Sequence, residues 1–193
     1  GEYFCQTQRR EKVFDELLTY FTLRYKESSF LLEFRNIEEP LFGYRYFRRN
    51  DYFPVRWLRI RNSIHHEQLD KWMSPSRKRQ IARGVENGAS VEIASSSDTI
   101  KAFFAMLKKY YSAKIHRYLP DFRFFASFSE QSSIGGIGKI FVVRYKGKVI
   151  GGAVCLFSGD TAYLMFSAGM RKSYPLLYPG VLAVWGAMTY ARE

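Results

Sequence analysis

The sequence predicts an α+β fold in which helices flank a mostly antiparallel sheet. In the last third of the chain, three apolar segments are separated by turns so short that consecutive strands must run antiparallel. Before them, apolar residues recur at three- and four-residue spacings that are typical of helices. With 193 residues, of which 47% are hydrophobic and 18% aromatic, the chain can bury a substantial core in one large domain or in parts of two.

The three predicted strands of the last third cover 140–145, 149–157 and 161–167. Lys146 and Gly147 form the first turn, and 158–160 forms the second. A loop over 168–178 follows, and Pro179 begins a helix.

Upstream of these strands, the clearest signals are helical. Ser74 and Pro75 begin a helix that ends at Asn87-Gly88, because serine caps helices, proline suits the first turn and glycine accepts a left-handed end. A short strand follows at 90–93. Ser97 or Asp98 then caps an amphipathic helix that extends to Tyr111, and Pro120 begins another aromatic helical segment.

The first 65 residues give a helix over 11–25 and strands over 30–34 and 52–60, with an aromatic helical segment from Pro40 to Phe47 between the strands. Pro54 favours an edge position for the second strand, because proline cannot donate a hydrogen bond to a neighbouring strand.

The chain carries a net charge of +12, with a sequence pI near 9.7. Such an excess of positive charge attracts nucleic acid, phosphate-bearing cofactors or an acidic membrane face, although a solvated basic surface that only aids solubility has the same composition.

The two cysteines are far apart in the sequence, which excludes a disulfide framework and a zinc-binding spacing. Cys155 lies in an apolar run and is expected to be a small buried hydrophobic residue. We expect no metal. No apolar stretch reaches 18 residues and no signal peptide opens the chain, so a cytoplasmic protein is expected.

Three motifs, taken in order, resemble a known family. Residues 77–91, RKRQIARGVENGASV, are similar to the basic helix of FemAB-like proteins. Residues 141–153 resemble the central hairpin of GNAT domains, and 162–169, with 176–179 and Trp185, resemble their donor-side strand and the helix after it. The chain therefore resembles GNAT superfamily acyltransferases of the FemAB type, closely over 75–193 and more loosely over 11–62.

The resemblance implies parts of two tandem GNAT-type domains. Residues 1–65 would be the closing part of a first domain, 66–88 a basic connecting helix, and 89–193 the opening part of a second domain whose closing strands are absent. Because those closing strands complete the site in the family, any set of site residues named here is partial.

The resemblance also implies attack by an amine on a thioester or aminoacyl ester. The donor would be acyl-CoA or aminoacyl-tRNA, and the acceptor a sugar, an amino acid or a peptidoglycan precursor of the cell wall. GNAT domains polarise the donor carbonyl with backbone N–H groups of the fourth strand and hold phosphates at the start of the next helix. The residues at those positions are Phe166, Ser167, Ala168, Gly169, Met170, Arg171, Lys172, Tyr178, Gly180 and Val181.

The superfamily's glycine-rich pyrophosphate loop is not reproduced, since 170–175 read MRKSYP. Arg171 and Lys172 can meet phosphates by charge, or they can be an ordinary solvated turn. FemAB-type enzymes, which use aminoacyl-tRNA, also lack that loop.

Two residues are candidates for accepting the amine proton. His116 is the only histidine in the closely matched region, and a neutral imidazole accepts protons near pH 7. Tyr111 is the second, although GNAT domains also use a carboxylate or a water, and both residues can instead lie beside the acceptor cleft.

The basic helix gives a separate prediction. Contact with tRNA phosphates is the functional interpretation and a solvated helix face is the alternative. Its charged residues are Arg77, Lys78, Arg79 and Arg83. For the whole chain, the alternative to an N-acyltransferase is a non-catalytic GNAT-like module that binds a nucleotide, tRNA or protein partner through this basic face.

Overall fold

The computed structural model describes residues 10–36, 41–55, 60–65, 69–115 and 119–193. The chain divides into two compact units, Gly1–Arg61 and Asn62–Glu193.

The first unit is built on two helices, α1 (Arg10–Tyr25) and α2 (Tyr44–Arg49). Phe14 and Leu18 of α1 are buried, and the Phe14 ring lies 5.0 Å from that of Phe42 and 5.3 Å from that of Phe47. The helix predicted over 11–25 is confirmed, and the short aromatic helix is displaced to 44–49 from the predicted 40–47.

The strand predicted over 30–34 is wrong. These residues belong to no sheet, and no strand is found within the described part of this unit. Strand-forming residues need a paired neighbour, and here Phe34 instead packs edge-on against the ring of Tyr52, 5.4 Å away. The strand predicted over 52–60 is likewise not formed at 52–55 or at Ile60, while 56–59 lie outside the described residues.

The second unit begins with a 3₁₀ turn (Leu69–Trp72) and has four helices and four strands in its described part. The α+β fold class is confirmed, with every predicted strand from residue 90 onward in place. The elements in chain order are α3 (Pro75–Glu86), β1 (Ser90–Ile93), α4 (Ser97–Tyr110) with a π-helical turn (Tyr111–Ile115), α5 (Phe122–Gly135), β2 (Gly138–Tyr145), β3 (Lys148–Ser158), β4 (Thr161–Gly169) and α6 (Pro179–Arg192).

Local capping sets the helix boundaries. The Ser74 hydroxyl accepts the Arg77 N–H at 3.3 Å, and Gly88 follows α3 with φ 88°, both as predicted. The cap of α4, however, is Ser96 and not Ser97 or Asp98. Ser96 is extended and its hydroxyl accepts the Thr99 N–H at 3.2 Å.

The sheet has the order β1-β2-β3-β4, with every neighbouring pair antiparallel. Helices α4 and α5 cover one face, where Phe103 and Phe125 are fully buried against Val142 and Val154 of the strands. Helix α6 covers the other face, where Leu182 and Ala183 pack with Val143 and Ile150, and α3 packs against α6.

Gly152 of β3 leaves room for the ring of Phe103 on α4. A Cβ at this position would lie 2.6 Å from the Phe103 ring and 2.6 Å from the Phe141 carbonyl oxygen. We expect Gly152→Ala to lower the free energy of unfolding by about 1–3 kcal/mol, because overpacking a filled core costs that much. Thermal or urea denaturation measures it. Gly135→Ala is the control, since its Cβ would meet only the Ile137 methyl at 3.8 Å; equal losses in both variants would contradict the packing described here.

Candidate functional site

The outer edge of β4 presents backbone N–H groups away from the rest of the sheet. The Met170 N–H donates to the Ile150 carbonyl at 2.8 Å. Because N–H direction alternates along a strand, the N–H groups of Ser167 and Gly169 point to the opposite side. In the part of the chain that the structure describes, no strand pairs along that side.

A β-bulge lies just before this segment. Val154 pairs with Phe166 but its neighbour Cys155 pairs with Leu164, so Met165 is the extra residue of β4. A bulge increases the local twist and changes the direction of the strand after it. It therefore sets the direction in which Ser167 and Gly169 present their N–H groups.

The N-terminus of α6 lies directly on this strand end. A Cβ at Gly169 would lie 2.4 Å from the Gly180 nitrogen, and one at Gly151 would lie 2.8 Å from the Pro179 carbonyl oxygen. Only glycine permits so close an approach of helix backbone to strand backbone. The first turn of α6 and the outer edge of β4 are thus held side by side.

The first turn of α6 leaves one backbone donor open. Pro179 has no N–H, and the N–H groups of Val181 and Leu182 both donate to the Tyr178 carbonyl, at 2.9 and 3.1 Å. The Gly180 N–H has no acceptor among the described residues, and no atom lies within 4 Å of a Cβ built at Gly180. Tyr178 takes a left-handed conformation (φ 46°, ψ 47°) and its side chain makes no cap. An open helix N-terminus favours an anion.

The charge around this point is positive. The sequence has no Asp or Glu from Thr161 to Arg192, and Arg171 and Lys172 are exposed in the turn after β4. The Arg171 N–H donates to the Gly169 carbonyl at 2.8 Å, which draws the turn back toward the strand end. Two exposed cationic side chains therefore belong to the loop that leads from the β4 end to α6.

The basic helix α3 borders the loop that leads into α6. Gly84 is buried, and a Cβ there would lie 2.8 Å from the Leu177 carbonyl oxygen. The Asn87 amide donates to the Leu176 carbonyl at 3.3 Å. Arg83 lies one helical turn before Asn87 and is exposed. Arg79 and Lys78 are exposed as well, whereas the exposed Arg77 guanidinium donates to the Gln80 amide oxygen at 2.8 Å.

The other face of β4 is aromatic. Phe166 is half-buried, with its ring 5.5 Å from Phe125 and 6.0 Å from Tyr111. Ala168 is buried on the same face. The Tyr111 ring therefore contacts the side chain of the residue that precedes Ser167. The second proton-acceptor candidate, His116, lies outside the described residues.

The remaining candidate residues differ in their exposure to solvent. Met170 is exposed beside Arg171, and Val181 and Tyr178 are half-buried at the start of α6. Within the described ranges, no group of His, Cys, Asp or Glu side chains is arranged to hold a metal ion, and no helix is long and apolar enough to cross a membrane.

Residues 75–193 match a family model described as an acetyltransferase (GNAT) domain. The chain belongs to this family. Membership makes it an acyltransferase domain that takes an acyl donor and an amine acceptor, in agreement with the general expectation from the sequence. A search of curated proteins gives no match.

Gly151 was not predicted as part of this candidate site. The Gly151-Gly152 pair inside an apolar strand is the signal that could have found it, because glycines within strands often mark a close approach of another backbone. Nothing in the sequence indicates that Gly169 contacts Gly180, because an irregular loop separates the two residues along the chain.

Burial makes the Cys155 thiol a poor nucleophile. It lies against α6 with Phe141 and Ala187, and burial raises its pKa to about 11. Because the thiolate is the nucleophilic form of cysteine, a raised pKa lowers the reactivity of this side chain near neutral pH.

We therefore expect a Cys5→Ser variant, in which Cys155 is the only thiol, to resist alkylation by iodoacetamide until it is unfolded. Mass spectrometry of the native and urea-unfolded protein measures the labelling. Cys155→Ala should retain acyl transfer to within a few-fold, because only a small buried group is lost. Rapid native labelling together with loss of activity in the alanine variant would instead indicate a covalent role.

Proposed function

We propose that this domain is an N-acyltransferase that moves an acyl group from acyl-CoA to an amine. The observation that carries the proposal is the contact of Gly169 with Gly180. It brings the outward N–H groups of β4 and the open N-terminus of α6 to one place, and a CoA thioester has a carbonyl oxygen and a pyrophosphate that match these two donors.

In this proposal, the residues of the strand end act on the reacting carbonyl. One of the outward N–H groups, that of Ser167 or that of Gly169, hydrogen-bonds the carbonyl oxygen and stabilises the negative charge that develops on it during attack. Phe166 and Ala168 anchor that strand end in the core on the opposite face. No side chain need change its charge for this role.

The start of α6 and the turn before it act on the phosphates. The Gly180 N–H and the helix dipole attract the pyrophosphate, and Arg171 and Lys172 add positive charge. Tyr178, Val181 and Met170 border this point and would contact the pantetheine and nucleotide parts of the donor by packing.

The chemical step is a single displacement. The neutral amine nitrogen forms a bond to the carbonyl carbon, the C–S bond breaks, and CoA leaves as the thiolate. The proton lost by the nitrogen ends on the sulfur, directly or through a base. Tyr111 or His116 as that base stays a prediction, and positioning of the two reactants alone supplies much of the rate in such a reaction.

The FemAB-type variant of the proposal uses aminoacyl-tRNA and a cell-wall acceptor. It is supported by the missing glycine-rich loop and by the exposed Arg79 and Arg83 of α3, whose helix borders the loop before α6. Contact of tRNA with these residues, a tandem-domain arrangement and a cytoplasmic location all stay predictions.

Donor preference is tested with the protein, acetyl-CoA and a panel of primary amines. We expect N-acetylated product, detected by mass spectrometry, and saturable CoA binding. Binding of charged and uncharged tRNA is measured in parallel at about 50 and 200 mM salt, because phosphate contacts weaken steeply over that range. Preference for charged tRNA that Arg79→Gln and Arg83→Gln reduce would favour the aminoacyl branch. Binding of neither donor would favour a non-catalytic module.

The phosphate position is tested at Gly180, where the surrounding space is open. We expect Gly180→Glu to raise the Kd of acetyl-CoA about tenfold or more, because a carboxylate beside a pyrophosphate is repelled. Gly180→Gln matches the glutamate in size and Gly180→Ala adds only a methyl, so the difference between Glu and Gln isolates the charge. Calorimetric titration measures each Kd.

The fold should survive all three substitutions, since a carboxylate in the first turn is favourable to the helix itself. Equal Kd values for the Glu and Gln variants, with Tm unchanged, would place the phosphates elsewhere.

A further inference from the structure

A pocket of about 460 Å³ lies between α4 and the beginning of α5, on the face of the sheet opposite α6. One wall is a stripe of α4 at helical spacing, Phe104, Lys108 and Tyr111, and the facing wall begins at Leu119 and runs to Phe122. This pocket is separate from the position proposed for the donor phosphates, which lies at the start of α6.

The walls of this pocket are mostly apolar. The rings of Phe104 and Phe122 lie 5.8 Å apart, and Phe104 also packs on the buried Phe125 at 5.3 Å. Leu119 and Pro120 are half-buried beside them. Such a lining binds the hydrocarbon or aromatic body of a small molecule and fixes it by a few polar groups.

Two charged side chains line the pocket, and they differ in their partners. Both oxygens of the Asp121 carboxylate are in use, one accepting the Phe124 N–H at 3.3 Å and the other the Arg123 guanidinium at 2.8 Å. Among the described residues, no carboxylate pairs with Lys108. The charge left for a ligand is therefore the Lys108 ammonium, which attracts an anion.

Tyr111 connects this pocket with the reacting edge of β4. Its ring lines the pocket and lies 6.0 Å from the Phe166 ring, and Phe166 directly precedes Ser167. The backbone turns into a π-helix at Tyr111, a local departure that is frequent at functional sites. A molecule held beside Tyr111 would thus lie on the side of β4 that Phe166 faces, toward the strand end at which the carbonyl is proposed to bind.

We propose that this pocket binds the amine acceptor, and that the acceptor is an amino acid with an apolar side chain, its carboxylate paired with Lys108. The proposal rests on the proposed N-acyltransferase function. The side chain packs against Phe104 and Phe122, the carboxylate points to Lys108, and the amine points past Tyr111 toward Ser167. Simple amines without a carboxylate would fit the same walls but lose the ion pair.

The test compares L-phenylalanine with 2-phenylethylamine, which lacks only the carboxylate. We expect kcat/KM with acetyl-CoA to be about two- to fivefold higher for phenylalanine, the range of an ion pair with an exposed lysine. Lys108→Met keeps the length of the apolar stem and should remove this preference by lowering the value for phenylalanine alone. Lys108→Arg should restore it. Lys109→Met is the matched control, because Lys109 is the exposed neighbour and does not line the pocket.

Binding is measured in addition to turnover, by saturation-transfer NMR with the same two compounds and no acyl donor. Preference for phenylalanine that Lys108→Met abolishes supports the pocket even if acetyl-CoA is not used, an outcome that would refute only the proposed function. Acetylation of both amines at equal rates, with no effect of Lys108→Met, would overturn the acceptor proposal and leave the acyltransferase function standing.

Discussion

The close contact between α6 and the end of β4 is the constraint on which the rest of the second unit depends. Gly169 and Gly151 together remove two side chains from the place where Pro179 and Gly180 rest on the sheet. Any side chain at either position would force helix and strand apart. Because the helix cannot be lifted without losing this contact, the positive end of its dipole is fixed at one edge of the sheet.

The other side of α6 is held by α3. Gly84 allows the Leu177 carbonyl and the Leu182 side chain to approach α3, and the Asn87 amide holds Leu176. The end of the loop before α6 is therefore held by α3, and it can keep Tyr178 in a left-handed conformation that costs a non-glycine residue about 1–2 kcal/mol. Helix α3 packs as part of the second unit, and the family match begins at its first residue. The connecting role predicted for 66–88 stays a prediction.

The sequence was informative wherever structure is decided by neighbours along the chain. The cap at Ser74, the left-handed Gly88 and the two hairpin turns depend on a few adjacent residues, and they were predicted. The segment 30–34 has a strand-like composition but no strand to pair with, so its composition was misleading. The α4 cap was misplaced because 95–97 are all serine, and only backbone geometry distinguishes Ser96 from its neighbours.

The candidate site was predictable only for the residues that lie in one strand, β4, and in the helix that comes next in the chain, α6. The motif after 162 identified the β4 end and the start of α6, whereas the Gly151 contact joins a strand to a helix that is distant in sequence, and the Lys108 pocket depends on how the successive helices α4 and α5 pack. No periodicity reports such contacts, because they arise from the packing of one element on another. The π-helical turn at Tyr111 is equally absent from the pattern of apolar residues, which reads as an ordinary helix through that point.

The two faces of β4 differ in a way that suits two reactants. On the α6 face, backbone donors and cations meet in a segment without a carboxylate, which favours an anionic donor. On the α4 and α5 face, aromatic rings extend from Phe166 to the pocket, whose mostly apolar lining favours an apolar acceptor. In the proposed reaction, the strand between the faces offers an outward backbone N–H group to the carbonyl, which would therefore meet a fixed dipole.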